Sequence, residues 1–174
     1  MTEISRNEDW ELETDRLLLS PTCTTDAEPL YGLLKEPALY SFMTNPPPSG
    51  VRALEERIRL WERRRSPAGD EVWLNWTVRR KHRATVVGHI QATVQGSRAE
   101  IAWVIGLPFQ GQGYATEASR RVGSWLTERF KIEELRANIH PRHLASQAVA
   151  RHIGLRPGSE VTAEGEECWV RGLR

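Results

Sequence analysis

The chain has 174 residues, of which 27% are charged and 39% hydrophobic, and its net charge is +1. These values predict a single globular domain, spanning residues 1–174, with room for a sizeable core. The balanced charge excludes a protein that attracts polyanions through its overall field, so we expect no nucleic-acid partner. Two cysteines, Cys23 and Cys168, are too few for a disulfide framework or a cysteine-based zinc site.

The N-terminal segment, residues 1–9, is polar and acidic, and we expect it to be poorly ordered. It lacks the apolar run of a signal peptide. No stretch of the chain has the length and apolar character of a membrane span. The sequence therefore predicts a cytoplasmic protein without a membrane partner.

A first strand is predicted over residues 16–20, where three leucines follow an arginine. Thr25 and Glu28 have the spacing of a capping box, which predicts a helix from there to about Lys35. The prolines at 46–48 cannot lie inside a helix and separate it from a second one. The apolar face of that second helix is formed by Val51, Leu54, Ile58 and Trp61. It ends in the basic run 62–65, which suits a helix C-terminus.

The middle of the chain predicts three strands joined by short turns, over residues 72–79, 85–94 and 100–105. Short turns make antiparallel hairpins, and Gly88 predicts a bulge in the second strand. A strand over residues 135–140 should run parallel to the strand at 100–105, because a helix crosses between them. One helix and two strands complete the chain, at residues 144–153, 158–163 and 167–171.

The most informative stretch is residues 100–130, which predicts a strand, a glycine-rich turn and a long helix. The helix carries an apolar stripe made of Ala115, Ala118, Val122, Leu126 and Phe130. Gly111 and Gly113 lie where the helix begins, so backbone N–H groups can approach a ligand there without interference from a Cβ atom. The first N–H groups of a helix lack internal partners and lie at the positive end of its dipole. The turn therefore predicts an anion site, most naturally for a phosphate or pyrophosphate.

Three motifs compete for this turn, beside the alternative that it is a structural loop without a ligand. A P-loop is excluded because no lysine follows the glycines. The dinucleotide-binding pattern fits Gly111 and Gly113, but Thr116 stands where glycine or alanine is required. The predicted antiparallel hairpins also disfavour the doubly wound sheet of dinucleotide-binding oxidoreductases. The third motif, Gln110-x-x-Gly113-x-Ala115, fits completely.

This third motif resembles the acyl-CoA pyrophosphate motif of the GNAT superfamily of N-acetyltransferases. The flanking residues 99–105 and 115–118 resemble its RimJ/RimL-type branch, as do residues 12–19 and Asp26-Ala27. The resemblance implies an α/β (α+β) fold, in which a mixed, mostly antiparallel sheet splays at its centre and is flanked by about four helices. It implies acetyl-CoA as cosubstrate, a primary amine as acceptor and no metal, in a monomer or homodimer.

The resemblance also implies a set of residues that contact acetyl-CoA. The main chain of Trp103, Val104 and Ile105 would hydrogen-bond the pantetheine arm. The pyrophosphate would be held by Gln110, Gly111, Gln112, Gly113, Tyr114, Ala115 and Thr116. His143 and Ser146 occupy the place of an Asn-x-x-Ser pair at the start of the fourth helix. Imidazole cannot reproduce the donor and acceptor of an amide, so Ser146 is the stronger candidate of the two.

Glu100 and Ser146 are the candidate catalytic residues. Glu100 takes the position of a catalytic glutamate in histone-type members of the superfamily and would accept the proton of the amine. Ser146 would donate to the departing thiolate. Each has a structural alternative, an exposed strand-end charge for Glu100 and a common helix-start serine for Ser146. Ala150 stands where many members have an acidic tyrosine, and Asn138 where others have a base, so water or positioning would have to substitute.

Several further residues remain open. His140 and His143 flank Pro141 without a third ligand, so they predict no metal site. Trp73, Asn75 and Trp76 lie on a strand that lines the acceptor side in this superfamily, so either the tryptophans or Asn75 would face the pocket. Arg142 and Arg151 could contact the CoA 3′-phosphate or could simply be exposed. The alternative function is a non-catalytic acyl-CoA-binding or regulatory module that has lost its acid–base groups.

Overall fold

The computed structural model describes residues 10–172, so the prediction for residues 1–9 lies outside the described part of the chain. Within residues 10–172 the chain forms one eight-stranded sheet and four α-helices. This agrees with the predicted mixed sheet flanked by helices. It excludes the doubly wound alternative, because one neighbouring pair of strands is parallel and the other pairs are antiparallel.

The strands follow the chain across most of the sheet, and the order reverses only at the end, β1-β2-β3-β4-β5-β6-β8-β7. Their bounds are β1 Leu12–Glu13, β2 Leu17–Pro21, β3 Val72–Arg80, β4 Val86–Gln95, β5 Arg98–Ile105, β6 Glu134–Ile139, β7 Arg156–Val161 and β8 Glu167–Gly172. The parallel pair is β5 and β6, as the crossover through a helix requires. The two-residue strand β1 was not predicted, because so short an element carries no periodicity.

The helices are α1 Ala27–Leu34, α2 Val51–Trp61, α3 Tyr114–Phe130 and α4 Leu144–His152. Successive side chains of a strand point to opposite faces of the sheet, so each face has its own core. On one face Val104 packs with α1 and α2, where Leu30, Leu54 and Ile58 are fully buried. The larger core on the other face includes the predicted stripe of α3 together with apolar residues of β3, β4, β5 and β6.

The sheet splays between β5 and β6. These strands pair only at Arg98–Glu134, Ala99–Leu135 and Glu100–Arg136, whereas β5 stays paired with β4 as far as Ile105. Beyond Glu100 the β6 side of β5 therefore has no neighbouring strand. This opening is the predicted splay at the centre of the sheet.

The predicted bulge lies next to Gly88, where the β3–β4 register shifts between Val78 and Arg79. Glycine is required at this position because an added Cβ would overlap the carbonyl oxygen of Val104. The absence of a side chain thus lets β4 and β5 stay paired up to the end of β5, beside the splayed gap.

Two local predictions need correction. The capping box involves Cys23 and Asp26 instead of Thr25 and Glu28, because the Cys23 N–H donates to Asp26 Oδ2 at 3.0 Å and a short 3₁₀ turn, Thr24–Asp26, precedes α1. Asp26 also accepts a hydrogen bond from Thr77 and forms an ion pair with Arg79, so tertiary contacts decide where the helix begins. The penultimate strand lies at Arg156–Val161 instead of residues 158–163.

Candidate active site

A cleft of about 380 Å³ opens where β5 and β6 separate. One wall comes from the α1–α2 connection, α2 and β4, and includes Tyr40, Phe42, Arg57, Trp61, His89 and Gln91. The other wall comes from β6, α4 and the β7–β8 hairpin, and includes Asn138, His140, His143, Ser146 and Glu166. The floor is β5 from Glu100 to Val104. Of the predicted site residues, the cleft therefore brings together Glu100, Trp103, Val104, His143 and Ser146.

The hydrogen-bonding direction of β5 decides which main-chain groups face this gap. Gly106 N–H donates to Val87 O of β4 at 2.9 Å, whereas Ser97 O accepts from Glu133 N–H, which leads into β6, at 2.7 Å. Because these directions alternate along a strand, even-numbered residues of β5 pair with β4 and odd-numbered residues face β6. The main chain of Trp103 and Ile105 therefore faces the gap. The prediction for Val104 is corrected, because its main chain is directed to His89 of β4.

The glycine-rich turn lies at the C-terminal end of β5 and leads into α3. Gly111 and Gly113 have φ of +74° and +80°, a region in which side chains other than glycine are strained. The Glu117 N–H donates to Gly113 O at 3.0 Å, which starts the helical ladder. The N–H groups of Tyr114, Ala115 and Thr116 precede it and so have no helical acceptor. Glycine conformation and the 17-residue helix α3 thus bring unpaired N–H groups to the positive end of a helix dipole, an arrangement suited to an anion.

The two glutamines of the turn stabilise it through their side chains. Gln110 Nε2 donates to Ile105 O at 3.0 Å, and Gln112 Nε2 donates to Pro108 O at 3.3 Å. Gln110 thereby fixes the turn to the last residue of β5. This contact leaves the N–H of Ile105, with the main chain of Trp103, as the groups of β5 available to a ligand in the gap.

A second contact fixes the turn to the N-terminal strands. Arg16 Nε and Nη2 each lie 2.6 Å from Glu117 Oε2, and Arg16 Nη1 donates to Gln112 O at 3.0 Å. Thr14 Oγ1 and the Arg16 N–H both donate to Glu117 Oε1, at 2.5 and 3.1 Å. The Arg16 guanidinium also lies 4.7 Å from the ring centroid of Tyr114. Residues about one hundred positions apart therefore hold the start of α3 in place.

Glu100 is oriented toward the cleft by a hydrogen bond from β6. Asn138 Nδ2 donates to Glu100 Oε2 at 3.0 Å. Partial burial raises the pKa of Glu100 above its ordinary value, although Arg136 and the Asn138 hydrogen bond oppose the shift. Asn138 cannot itself act as a base, but it holds the carboxylate that can. Glu100 thus lines the cleft with its carboxylate held by β6 and its pKa raised.

Ser146 and His143 lie together at the start of α4. Ser146 Oγ is 3.5 Å from His143 Nε2, and the His143 ring stacks on Phe42 with centroids 4.7 Å apart. Phe42 also contacts His140, at 5.2 Å, so the α1–α2 connection reaches across the cleft to α4. Burial and the neighbouring His140 lower the pKa of His143, which favours its neutral form. Ser146 therefore has a polar neighbour and lines the same cleft as Trp103.

His89 is a site residue that the sequence interpretation missed. It is 5% exposed, its Nε2 lies 3.2 Å from Asn75 Oδ1, and its ring stacks on Trp61 at 4.9 Å. Burial, together with the charge of Arg57, lowers the pKa of His89 to about 4, so the imidazole is neutral at physiological pH. His89 and Gln91 alternate with apolar residues in β4, which could have indicated a polar stripe. The sequence could not have indicated that α2 leaves this stripe open to a cleft.

Other predicted residues lie elsewhere. Trp73 and Asn75 share one face of β3 and line a pocket of about 140 Å³ beside the cleft, whereas Trp76 is fully buried in the opposite core. The two tryptophans cannot share a face because they are three positions apart in the strand. Position 150 of α4 is a fully buried alanine, and an alanine side chain cannot act as an acid. Arg151 lies over the ring of Trp169 at 5.0 Å, which is a structural contact.

Residues 10–172 contain no group of three or more His, Cys, Asp or Glu side chains placed to hold a metal ion. Over the same residues, no helix combines the length and apolar character needed to span a membrane.

Comparison with protein families identifies the domain. The family described as acetyltransferase (GNAT) domain matches residues 16–156, which include the strands β2 to β6, the glycine-rich turn and α4. The chain belongs to the GNAT acetyltransferase family. No curated protein matches the chain significantly.

Solved structures with the same fold are distant in sequence. A GNAT-family acetyltransferase from Bacillus anthracis is 17% identical with a TM-score of 0.76, covering 92% of this chain and 95% of that one. RimL, a ribosomal L7/L12 α-N-protein acetyltransferase solved with coenzyme A, is 16% identical with a TM-score of 0.76, covering 92% and 96%. The ribosomal-protein-S5-alanine acetyltransferase from Vibrio fischeri is 12% identical with a TM-score of 0.76, covering 93% and 96%. These likenesses confirm the predicted fold of this GNAT domain.

Proposed function

We propose that this GNAT domain transfers an acetyl group from acetyl-CoA to a primary amine by direct attack. One observation carries the proposal: the gap between β5 and β6 leads to the glycine-rich turn at one end and contains Glu100 at the other. The turn suits a pyrophosphate, the gap suits an extended arm, and the carboxylate suits an amine. Acetyl-CoA would supply the pyrophosphate and the extended arm, and the acceptor would supply the amine.

We assign the acetyl-CoA contacts to particular groups of the chain. The free N–H groups of Tyr114, Ala115 and Thr116 would receive the pyrophosphate, with Gly111 and Gly113 allowing close approach. The main chain of Trp103 and Ile105 would pair with the pantetheine arm as a missing strand would. Gln110 and Gln112 act by bracing the turn instead of by direct contact. His143 and Ser146 complete the wall beside the thioester.

The chemistry requires a neutral amine, stabilisation of an oxyanion and protonation of the thiolate. Glu100 would accept the amine proton directly or through water, and its raised pKa makes it a better base than a glutamate with the ordinary pKa. Of the two gap-facing N–H groups, those of Trp103 and Ile105, the one that does not pair with the arm would donate to the oxyanion. Ser146 would donate to the leaving thiolate, since Ala150 offers no acid.

We place the domain with the RimJ/RimL-type branch and propose a protein N-terminus or a small amine as acceptor. Support comes from the flanking residues of the turn and from the shared fold of ribosomal-protein acetyltransferases. An α-amino group, with a pKa near 7.7–8.0, loses its proton more easily than a lysine amine, with a pKa near 10.4. A single glutamate base suits the former better.

A non-catalytic acyl-CoA-binding module is the second candidate. The observation that favours it is the fully buried Ala150, which removes the tyrosine acid of many relatives. Such a module would bind acetyl-CoA without releasing thiol in the presence of any amine. Catalysis and binding are therefore separated by measuring both on the same protein.

The first experiment is a calorimetric titration with acetyl-CoA, CoA and the oxidised nicotinamide dinucleotide. We expect acetyl-CoA to bind with a Kd of about 1 µM to 1 mM, the usual range of KM, and the dinucleotide not to bind. Gly113→Glu should abolish binding, because its side chain adds bulk and a negative charge that would repel the pyrophosphate. The φ of +80° at this position also strains any residue other than glycine. Acceptor-dependent thiol release would then distinguish an enzyme from a binding module. Failure of both CoA species to bind would refute the proposed site.

A further inference from the structure

Arg57 is the charged residue that α2 contributes to the cleft. It lies on α2, lines the cleft, and has no salt bridge or hydrogen bond within residues 10–172. The neighbouring arginines of α2 differ, because Arg52 pairs with Glu56 and Arg59 pairs with Glu55. Residues four positions from Arg57 are Ala53 and Trp61, so the helix offers it no such pair.

The groups around Arg57 do not neutralise its charge. Tyr40 and His89 lie close enough for Arg57 to lower the pKa of each, yet burial keeps the pKa of Tyr40 above its ordinary value. Tyr40 and His89 are therefore both uncharged at neutral pH. A cation lining a cleft next to uncharged hydrogen-bonding side chains is suited to bind an anionic group.

The opposite part of the cleft carries the other charges. Among the described residues that line it, the carboxylates are Glu100 and Glu166, and Arg57 is the one side chain with a permanent positive charge. On the floor, Val104 pairs with His89, and Glu100 pairs with Thr93. The four positions from Val104 to Glu100 span about 13 Å along the strand. The cleft therefore has a basic end near α2 and an acidic end near β6.

We propose that the acceptor is an amine that also carries an anionic group, such as a carboxylate or phosphate, and that Arg57 binds this anion while the amine faces Glu100. This inference rests on the proposed acetyl transfer and adds the chemical class of the acceptor. An acceptor with positive charge alone would meet uncompensated repulsion from Arg57, whereas a bipolar one matches both ends. None of residues 110–116 lines the cleft, so Arg57 is separate from the proposed phosphate cradle.

The test compares amines in matched pairs that differ only in an anionic group. Suitable pairs are an α-amino acid and its amide, a dipeptide with a second-position aspartate or asparagine, and an aminoalkyl phosphate and the corresponding amino alcohol. Initial rates of thiol release give kcat/KM for each member. The variants are Arg57→Gln and, as the matched control, Arg59→Gln, which removes an arginine of the same helix that is not in the cleft lining. Acetyl-CoA binding is measured on every protein.

We expect the kcat/KM of wild type and of Arg59→Gln to be about tenfold higher for the anionic member of at least one pair. This ratio corresponds to the lower end of the free-energy range for hydrogen bonds to charged groups, because Arg57 is exposed. Arg57→Gln should reduce that ratio to near one, and Arg57→Glu should invert it, with acetyl-CoA affinity retained. Equal or absent turnover of both members of every pair, or a preference that survives in Arg57→Gln, would overturn the proposal. In those cases, a wild type that binds acetyl-CoA would still support the proposed cofactor site. A wild type that does not bind acetyl-CoA would refute the proposed function itself.

Discussion

Replacing Glu117 with Gln tests whether the N-terminal strands position the glycine-rich turn. The carboxylate of Glu117 accepts hydrogen bonds from the Thr14 hydroxyl and the Arg16 main-chain N–H. Two guanidinium nitrogens of Arg16 also lie 2.6 Å from it. The side chains of Arg16 and Glu117 are 49% and 20% exposed, so solvent screens much of the attraction. Such a pair contributes about 1 kcal/mol, and a negative charge in the first turn of α3 adds roughly 0.5 kcal/mol through the helix dipole.

We therefore expect Glu117→Gln to lower the free energy of unfolding by about 1.5 kcal/mol and the Tm by about 3–6 °C. The Kd for acetyl-CoA should rise by about threefold to tenfold, or up to about 1.4 kcal/mol, because the start of α3 loses its anchor. The rate constant kcat should change little, since no contact of Glu117 lies near Glu100. Urea unfolding and calorimetric titration measure the two effects. The control is Glu56→Gln, which breaks the Arg52–Glu56 pair whose side chains are 91% and 63% exposed.

The pH dependence of this effect has a definite sign. Burial alone would raise the pKa of Glu117, but the hydrogen bonds from Thr14 and Arg16 and the charge of Arg16 outweigh it, and the pKa is lowered from 4.5. The stabilisation is therefore complete above pH 4.5 and is lost as the pH falls through the folded-state pKa. The difference between wild type and Glu117→Gln should shrink over that window. Equal stability at pH 7, or an acetyl-CoA affinity no different from that of Glu56→Gln, would refute the positioning argument.

Three other substitutions test the site. Glu100→Gln should reduce kcat by about 10²-fold or more while sparing acetyl-CoA binding, and the fall in wild-type activity at acid pH, centred above the ordinary glutamate pKa, should disappear. Ser146→Ala should reduce kcat by about fivefold to tenfold, more than it weakens binding, as expected for a neutral donor. For His89, the pKa falls from 6.5 to about 4 on folding, so wild type should lose stability on the order of 3 kcal/mol between pH 6.5 and pH 4, and His89→Gln should remove this loss.

Each of these expectations has a contrary result. An unchanged pH–rate profile in Glu100→Gln would show that another group is the base. Equal losses of kcat and acetyl-CoA affinity in Ser146→Ala would make Ser146 a binding residue only. For His89, the stability of wild type and variant is compared by urea unfolding at several pH values. Parallel curves would mean that His89 titrates normally in the folded protein.

Local patterns predicted much of the fold. The stripe of α3 and the apolar face of α2 are set by residues three or four positions apart, and the structure buries both as expected. Short turns determined the antiparallel hairpins, and the crossover helix determined that β6 runs parallel to β5. The glycines of the turn were readable because positive φ and a helix start are properties of neighbouring residues.

The sequence by itself thus determined the order of the elements, the glycine-rich turn and Glu100 as a candidate base. Only the tertiary structure decided that Arg16 anchors Glu117, that the main chain of Trp103 and Ile105 rather than that of Val104 faces β6, and that Arg57 and His89 share a cleft with Glu100. The physical reason is that local conformation depends on residues a few positions apart. Strand register and helix docking instead depend on packing across the whole chain, and a shift of one residue turns each side chain to the opposite face.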